Sequence, residues 1–384
     1  MRRLKVLQLL PALDSGGVER STLEIADALV RAGHESLVVS AGGRLVPQLE
    51  ASGARHVRLD TGRKSLASLV RAPALRRLIE HEQPDILHVR SRLPAWVARL
   101  ALRGLAAPRR PRLVTTVHGL NSPSRYSRVM VAGERVICVS ATVRDYVLRH
   151  YPDTDPARLR VVPRGIDPAA FPRVSGSDPG ARAAVAEQFP ALAGTGPLLL
   201  MPGRGTRLKG HSDALQLLAR LRADGRDARL WLPGSRQAGR GAYLGELEEM
   251  ATRLGLADAV VLSAATASIA RAYAASDLVL QLSRKPEAFG RTVIEALSVG
   301  RPVLGWAHGG VGELLRELQP DGAVAPFDEV ALHARARALL DGLAARGEAP
   351  AARSGRLARY SLRAMQDATL AVYDELADDL PARR

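Results

Sequence analysis

Short apolar runs alternate with longer amphipathic ones along almost the whole chain of 384 residues. "KVLQLL" reads as a buried strand, "VERSTLEIADALVRAGH" as a helix stopping at Gly33, and "SLVVSA" as the next strand. The series continues through "PDILHVRS", a helix around Trp96 to Leu105, "RLVTTVHG", "RVICVSA" and "RLRVVPRGID". It weakens between Asp167 and Pro197, where "DPAAFPRVSGSDPG" concentrates Pro, Gly and Ser, so this stretch is expected to link two domains. A second series runs from "PLLLMPGR" through "ARLWLPGS", "AVVLSA" and "LVLQLS" to "PVLGWA", with a short strand near "GAVAP". Such repetition demands parallel sheets covered on both faces. The expected fold class is therefore α/β, two Rossmann-like doubly wound domains facing across a cleft, with ligands outside the carboxyl ends of the strands. The expected division is 1–172, 190–358 and a last helix over 359–384.

Charge separates the two halves. Met1 to Pro172 holds 28 Lys and Arg against 15 Asp and Glu, a net of +13 out of +16 for the whole chain. That excess favours a polyanionic partner: nucleic acid, an anionic membrane surface or a phosphorylated substrate. Only four of the 55 basic residues are Lys, so compositional bias is an equally open source of the charge. The single cysteine, Cys138, lies in the apolar run "RVICVSA" and reads as a core residue of a protein from a reducing compartment. The start "MRRLKVLQLLPAL" is too short and too interrupted for a signal peptide, and no run of about 18 apolar residues is present to span a bilayer. The expected location is cytoplasmic, with peripheral contact at an anionic membrane as an option.

Four stretches carry candidate chemistry. Gly16 and Gly17 follow the first strand and open the first helix, where bare N–H groups and the helix dipole suit an anion; a tight turn alone explains them too. G-x-G-x-x-G is absent there, which weakens a nicotinamide or flavin reading. In "MPGRGTRLKGHSD", Arg204 and Lys209 stand in a glycine-rich loop after a strand and suit a diphosphate, although loop charge without a ligand is the alternative. It is not a Walker A loop, because the lysine precedes the second glycine.

"RKPEAFGRTVIEALSVGRPVLG" places Glu287 and Glu295 eight residues apart around Phe289, Gly290 and Arg291. A helix from about Gly290 turns Val293, Ile294 and Leu297 to one apolar face and Glu295 away from it, free for solvent or a ligand diol. By spacing alone, two glutamates on a solvated face are as good a reading as a site. Lastly, His118 ends the strand of "TTVHGLN", within reach of an expected cleft or serving structure only. No metal-ligand cluster is legible.

Together these stretches resemble the retaining nucleotide-sugar glycosyltransferases of family 4, which share the GT-B architecture. The resemblance covers nearly the whole chain in the family's order. Its E-x7-E motif is matched by Glu287 and Glu295, its Gly-Gly turn by Gly16 and Gly17, and its G-R-l-x-x-x-K-G loop by "GRGTRLKG". The "V-x-N-G-I-D"-like element is "VVPRGID", with Arg164 where Asn is common. "LDSGGVERS", "SRLPAW" and "VHGLNSPSRYS" are similar to bacterial lipopolysaccharide core and cell-envelope hexosyltransferases.

What the resemblance implies is transfer of a hexose, with retention and without a metal or other cofactor, from a nucleotide-diphosphate sugar to a glycan or lipid-linked acceptor. UDP-glucose is the favoured donor, and a lipopolysaccharide core or another envelope glycan the favoured acceptor. Glu295 would hold the donor ribose, Glu287 the donor sugar hydroxyls, and N–H groups around Phe289, Gly290 and Arg291 would assist. Arg204 and Lys209 would stabilise the leaving diphosphate, and His118 would contact the sugar. A nucleotide-sugar epimerase on the same fold and a nucleic-acid-binding protein are the rival readings. The latter is disfavoured by an aromatic content of 4% and the lack of a recognised motif, so no nucleic acid partner is expected.

Overall fold

The computed structural model describes residues 2–14, 16–62, 66–239, 241–346 and 354–377. The chain divides into two compact units, Met1–Arg164 with Leu362–Arg384, and Gly165–Ser361. The second unit thus begins at Gly165, and residues 378–384 of the expected last helix lie outside the described residues.

In the first unit seven strands form one parallel sheet: β1 Lys5–Leu9, β2 Glu35–Ser40, β3 Arg55–Arg58, β4 Ile86–Val89, β5 Arg112–Val117, β6 Arg135–Cys138 and β7 Leu159–Val161. Their order is β3-β2-β1-β4-β5-β6-β7, so the winding reverses between β1 and β4. The second unit holds β8 Leu198–Leu200, β9 Arg229–Pro233, β10 Val260–Ser263, β11 Leu278–Gln281, β12 Val303–Trp306 and β13 Ala323–Val324, ordered β10-β9-β8-β11-β12-β13. Its reversal falls between β8 and β11. Both sheets are doubly wound, and at each reversal the loops leaving the strand ends splay apart and open a crevice.

The central strands are near-continuous apolar runs because helices cover both faces. Cys138 sits in that core, and burial pushes its thiol up to about 12. The helix Leu362–Ala377 buries Met365, Val372, Tyr373 and Leu376 with Leu4, Val6, Ile25 and Leu29 of the first unit. Each such side chain contributes about 1.5–3 kcal/mol by leaving water.

Two local features differ from the sequence expectation. The stretch read as a linker contains a helix, Pro179–Gln188, started by Asp178, whose carboxylate accepts the Ala181 N–H at 2.7 Å. Its Ala-rich apolar face is weak as a pattern, yet Ala181 and Val185 are buried. The edge strand β3 was not anticipated; its four residues have no fully buried position, so hydrophobic alternation does not mark it.

Candidate active site

Most of the candidate side chains stand where strands around the two reversals end. In the second unit, β8 runs into the glycine-rich loop, and the turn before the helix at His211 puts Lys209 opposite the segment after β11. Lys209 Nζ donates to Glu287 Oε1 at 2.6 Å. Glu287 also accepts from the Ser283 hydroxyl and, on Oε2, from the Gln281 amide at 3.2 Å. Three donors therefore converge on one half-buried carboxylate at the end of β11. Arg204, in the same loop, is exposed.

The glycines of that loop have a packing reason. A Cβ on Gly205 would stand 2.0 Å from the Ser235 carbonyl oxygen, and one on Gly210 would stand 2.0 Å from that of Leu282. Gly210 also takes φ +79°, which favours glycine. These glycines bring the backbone of the loop against its neighbours, and Lys209 is thereby held over Glu287.

Glu295 differs from its expected setting. It is only 7% exposed rather than facing solvent, and it accepts the Tyr273 hydroxyl at 3.0 Å. The helix Arg291–Val299 is short and enclosed, so the face opposite its apolar stripe is covered as well. Burial, with the Glu295 carboxylate alongside, holds the Tyr273 phenol well above its usual range. Phe289 is buried against Tyr360, with ring centroids 6.1 Å apart. Gly290 precedes the helix with φ +129°, and no side chain caps its first turn. The Arg291 guanidinium donates to the Gly165 carbonyl at 2.7 Å.

Sequence reasoning passed over what shapes this loop. Gly309 and Gly310 follow β12, and the Gly310 N–H donates to the Glu287 carbonyl at 2.7 Å. A Cβ on Gly310 would meet Phe289 backbone atoms at 2.4–2.5 Å. His308 Nε2 lies 2.7 Å from the Ser283 carbonyl, tying the same two segments together. The signal was legible as "HGGVGE", a second Gly-Gly turn opening a helix.

In the first unit, a cavity of about 700 Å³ lies at the ends of β4 and β5, bordered by Arg90, Arg92, Thr116, His118, Asn121 and Tyr126 among others. No carboxylate is among its described lining residues. Arg90 is 2% exposed and gives two hydrogen bonds to Gln8 Oε1, at 2.9 and 2.6 Å, and one to Ser21 at 3.2 Å. Below it, His88 is held between Tyr373 and Thr116, both at 2.6 Å. Arg90, His88 and Tyr373 were not anticipated, because a buried polar chain breaks no apolar pattern that the eye follows. His118 lies beside Arg164, and burial with that cation keeps its imidazole well below its ordinary range.

Gly16 and Gly17 do open the first helix, and Gly16 takes φ +134°. The place beside Gly16 is taken by Glu19, whose Oε2 would stand 2.6 Å from a Cβ there. Burial raises the Glu19 carboxyl. Among the described residues no cluster of three or more His, Cys, Asp or Glu is placed to hold a metal, and no helix is long and apolar enough to cross a membrane.

Two doubly wound units with charged side chains gathered at strand ends make a tandem Rossmann-like architecture with ligand sites expected at the strand ends. Residues 15–170 match the family model Glycosyltransferase Family 4, and residues 185–347 match Glycosyl transferases group 1. A D-inositol 3-phosphate glycosyltransferase of Xylanimonas cellulosilytica is 31% identical over 260 residues, 67% of this chain and 60% of that protein. The match thus spans less than two thirds of that relative. A crystal structure of a glycosyltransferase from Rickettsia africae is similar at TM-score 0.86 and 27% identity, over 99% of this chain and 100% of that one. Anabaena Alr3699/HepE, crystallised with UDP and glucose, has TM-score 0.78 at 22% identity, over 98% and 100%. The chain belongs to the family 4 glycosyltransferases of GT-B architecture.

Proposed function

We propose that this enzyme moves a hexosyl group from a nucleotide-diphosphate sugar, UDP-glucose first among candidates, to a phosphate-bearing acceptor, with retention and without a metal. The carrying observation is the convergence of Lys209, Ser283 and Gln281 on Glu287 at the end of β11. A carboxylate with several acceptor sites suits sugar hydroxyls, and a cation 2.6 Å away suits the charge that grows on a departing diphosphate. Glu295 would take the ribose, Arg204 the diphosphate, and N–H groups of Phe289, Gly290 and Arg291 would add donors. Gly16 and Gly17 would receive a ligand only if Glu19 moved aside.

The acceptor belongs to the first unit in this reading. Its cavity holds Arg90 and Arg92 and no carboxylate among the described lining residues, which favours an anion. A phosphorylated lipopolysaccharide core or other envelope glycan fits that charge. So does a phosphorylated polyol, a second reading supported by the name of the Xylanimonas relative. Arg99, Arg103, Arg110 and Arg158 border a further cavity of the same unit, with no carboxylate among its described lining residues. They support peripheral contact with an anionic membrane on the cytoplasmic side.

The test is thermal stabilisation by UDP, ADP, GDP and their sugars, with and without EDTA. One nucleotide at a hundred times its Kd should stabilise by about 2.7 kcal/mol, unchanged by chelation. Product analysis with inositol phosphate and with a phosphorylated core oligosaccharide then separates the acceptors. Stabilisation only in added metal, or binding of oligonucleotides in place of nucleotides, would defeat the reading.

A further inference from the structure

Arg164 follows β7 in "VVPRGID", and its guanidinium donates to His118 Nδ1. A guanidinium has donors only, so the ring nitrogen it meets must present a lone pair. The single proton of a neutral imidazole then sits on Nε2. That nitrogen is buried and has no hydrogen-bond partner among the described residues. We infer that Arg164 is a positioning residue that fixes His118 as an Nε2–H donor, so that His118 gives a hydrogen bond to a substrate oxygen and does not take the acceptor's proton.

Three observations support this. The charged and titratable groups facing His118 are Arg164, Arg90 and His88, and together with burial they keep the ring neutral near pH 7. A neutral ring with Nδ1 engaged by a cation has no lone pair left on Nε2 for a proton. His118 also borders the 700 Å³ cavity of the first unit, where an incoming oxygen would supply the missing acceptor. No described residue lining that cavity is a carboxylate, so no side-chain acid there replaces His118 as a base. The inference rests on the sugar-transfer reading only for the identity of the substrate oxygen; the tautomer stands apart from it.

The experiment is long-range 1H–15N correlation on histidine-labelled full-length protein at pH 6 to 8, with the His118 signals identified by their loss in His118→Gln. Wild type should show a protonated Nε2 and a bare Nδ1 throughout this range. Arg164→Lys, which retains a donor-only cation, should keep that pattern. Arg164→Asn should mix the tautomers and raise the protonation midpoint. With UDP-glucose as probe donor, Arg164→Asn should lower turnover several-fold with KM for the donor unchanged, and Arg164→Lys should recover most of it. An Nδ1–H tautomer in the wild type, or an unchanged pattern in Arg164→Asn, would overturn the inference. Absence of transfer from every nucleotide sugar, with the tautomers as stated, would defeat the functional reading and leave the role of Arg164 supported.

Discussion

The Tyr373 hydroxyl lies 2.6 Å from His88 Nδ1 although 285 residues separate them in the chain. Both side chains are buried, so the pair has no water to fall back on. Tyr373→Phe should leave His88 short of a partner and cost about 1–3 kcal/mol in urea unfolding of the first unit. Unchanged unfolding would show that another group serves His88 equally well.

In the proposed reading, the ion pair of Lys209 and Glu287 is where the donor enters. Lys209→Ala should lower the single-turnover rate by roughly a hundredfold while changing donor affinity far less, because leaving-group charge grows in the transition state. Equal losses in rate and affinity would move Lys209 to ground-state binding alone.

The buried setting of Glu295 makes two effects separable. Glu295→Ala should weaken nucleotide binding and also destabilise the unit by about 1–3 kcal/mol, since the Tyr273 hydroxyl loses its acceptor. Glu295→Gln retains an acceptor for Tyr273. It should hold Tm near that of wild type yet bind the nucleotide roughly tenfold to a hundredfold more weakly, if a charged hydrogen bond to the ribose is lost. Calorimetric titration beside thermal scans distinguishes them.

His211 is fully buried, its Nδ1 3.4 Å from the Tyr243 hydroxyl, and burial lowers its pKa to about 4. A depressed folded-state value means the unfolded chain takes up a proton that the folded one refuses. Stability from this group is therefore intact above pH 6.5 and is lost as pH falls towards 4, by up to about 3 kcal/mol. His211→Asn should flatten the fall in Tm across that window. An equally steep fall in the variant would assign the acid lability to other groups.

Gly310 offers a steric test. A methyl group there would press on the Phe289 backbone that follows Glu287. Gly310→Ala should cost about 1–3 kcal/mol and displace the Glu287 loop, which donor binding would register as lost affinity. Wild-type affinity in a folded Gly310→Ala variant would mean that the loop yields elsewhere.

The doubly wound class was legible because strands buried on both faces are unbroken apolar runs, as in "LVLQLS" and "RVICVSA". Spacing around Glu287 and the loop of Lys209 was legible too, since glycine and charge interrupt those runs at strand ends. Three things were not. The burial of Glu295 depends on what covers the far side of its helix, and periodicity describes only the near side. The helix Pro179–Gln188 is built on alanines, whose contrast with polar neighbours is small. The chain Tyr373–His88–Thr116 joins distant segments through polar atoms, and no local pattern encodes such a meeting.

The first unit is interrupted: its core takes in Leu4, Val6 and Ile25 from the beginning of the chain and Met365, Val372 and Leu376 from its far end. On a ribosome, the second unit has all its residues before the first does. Domains otherwise tend to complete in the order they are made. Here the half made first is finished last, and a chain cut short before Leu362 would carry a complete second unit beside a sheet still missing the helix that supplies Tyr373 to His88.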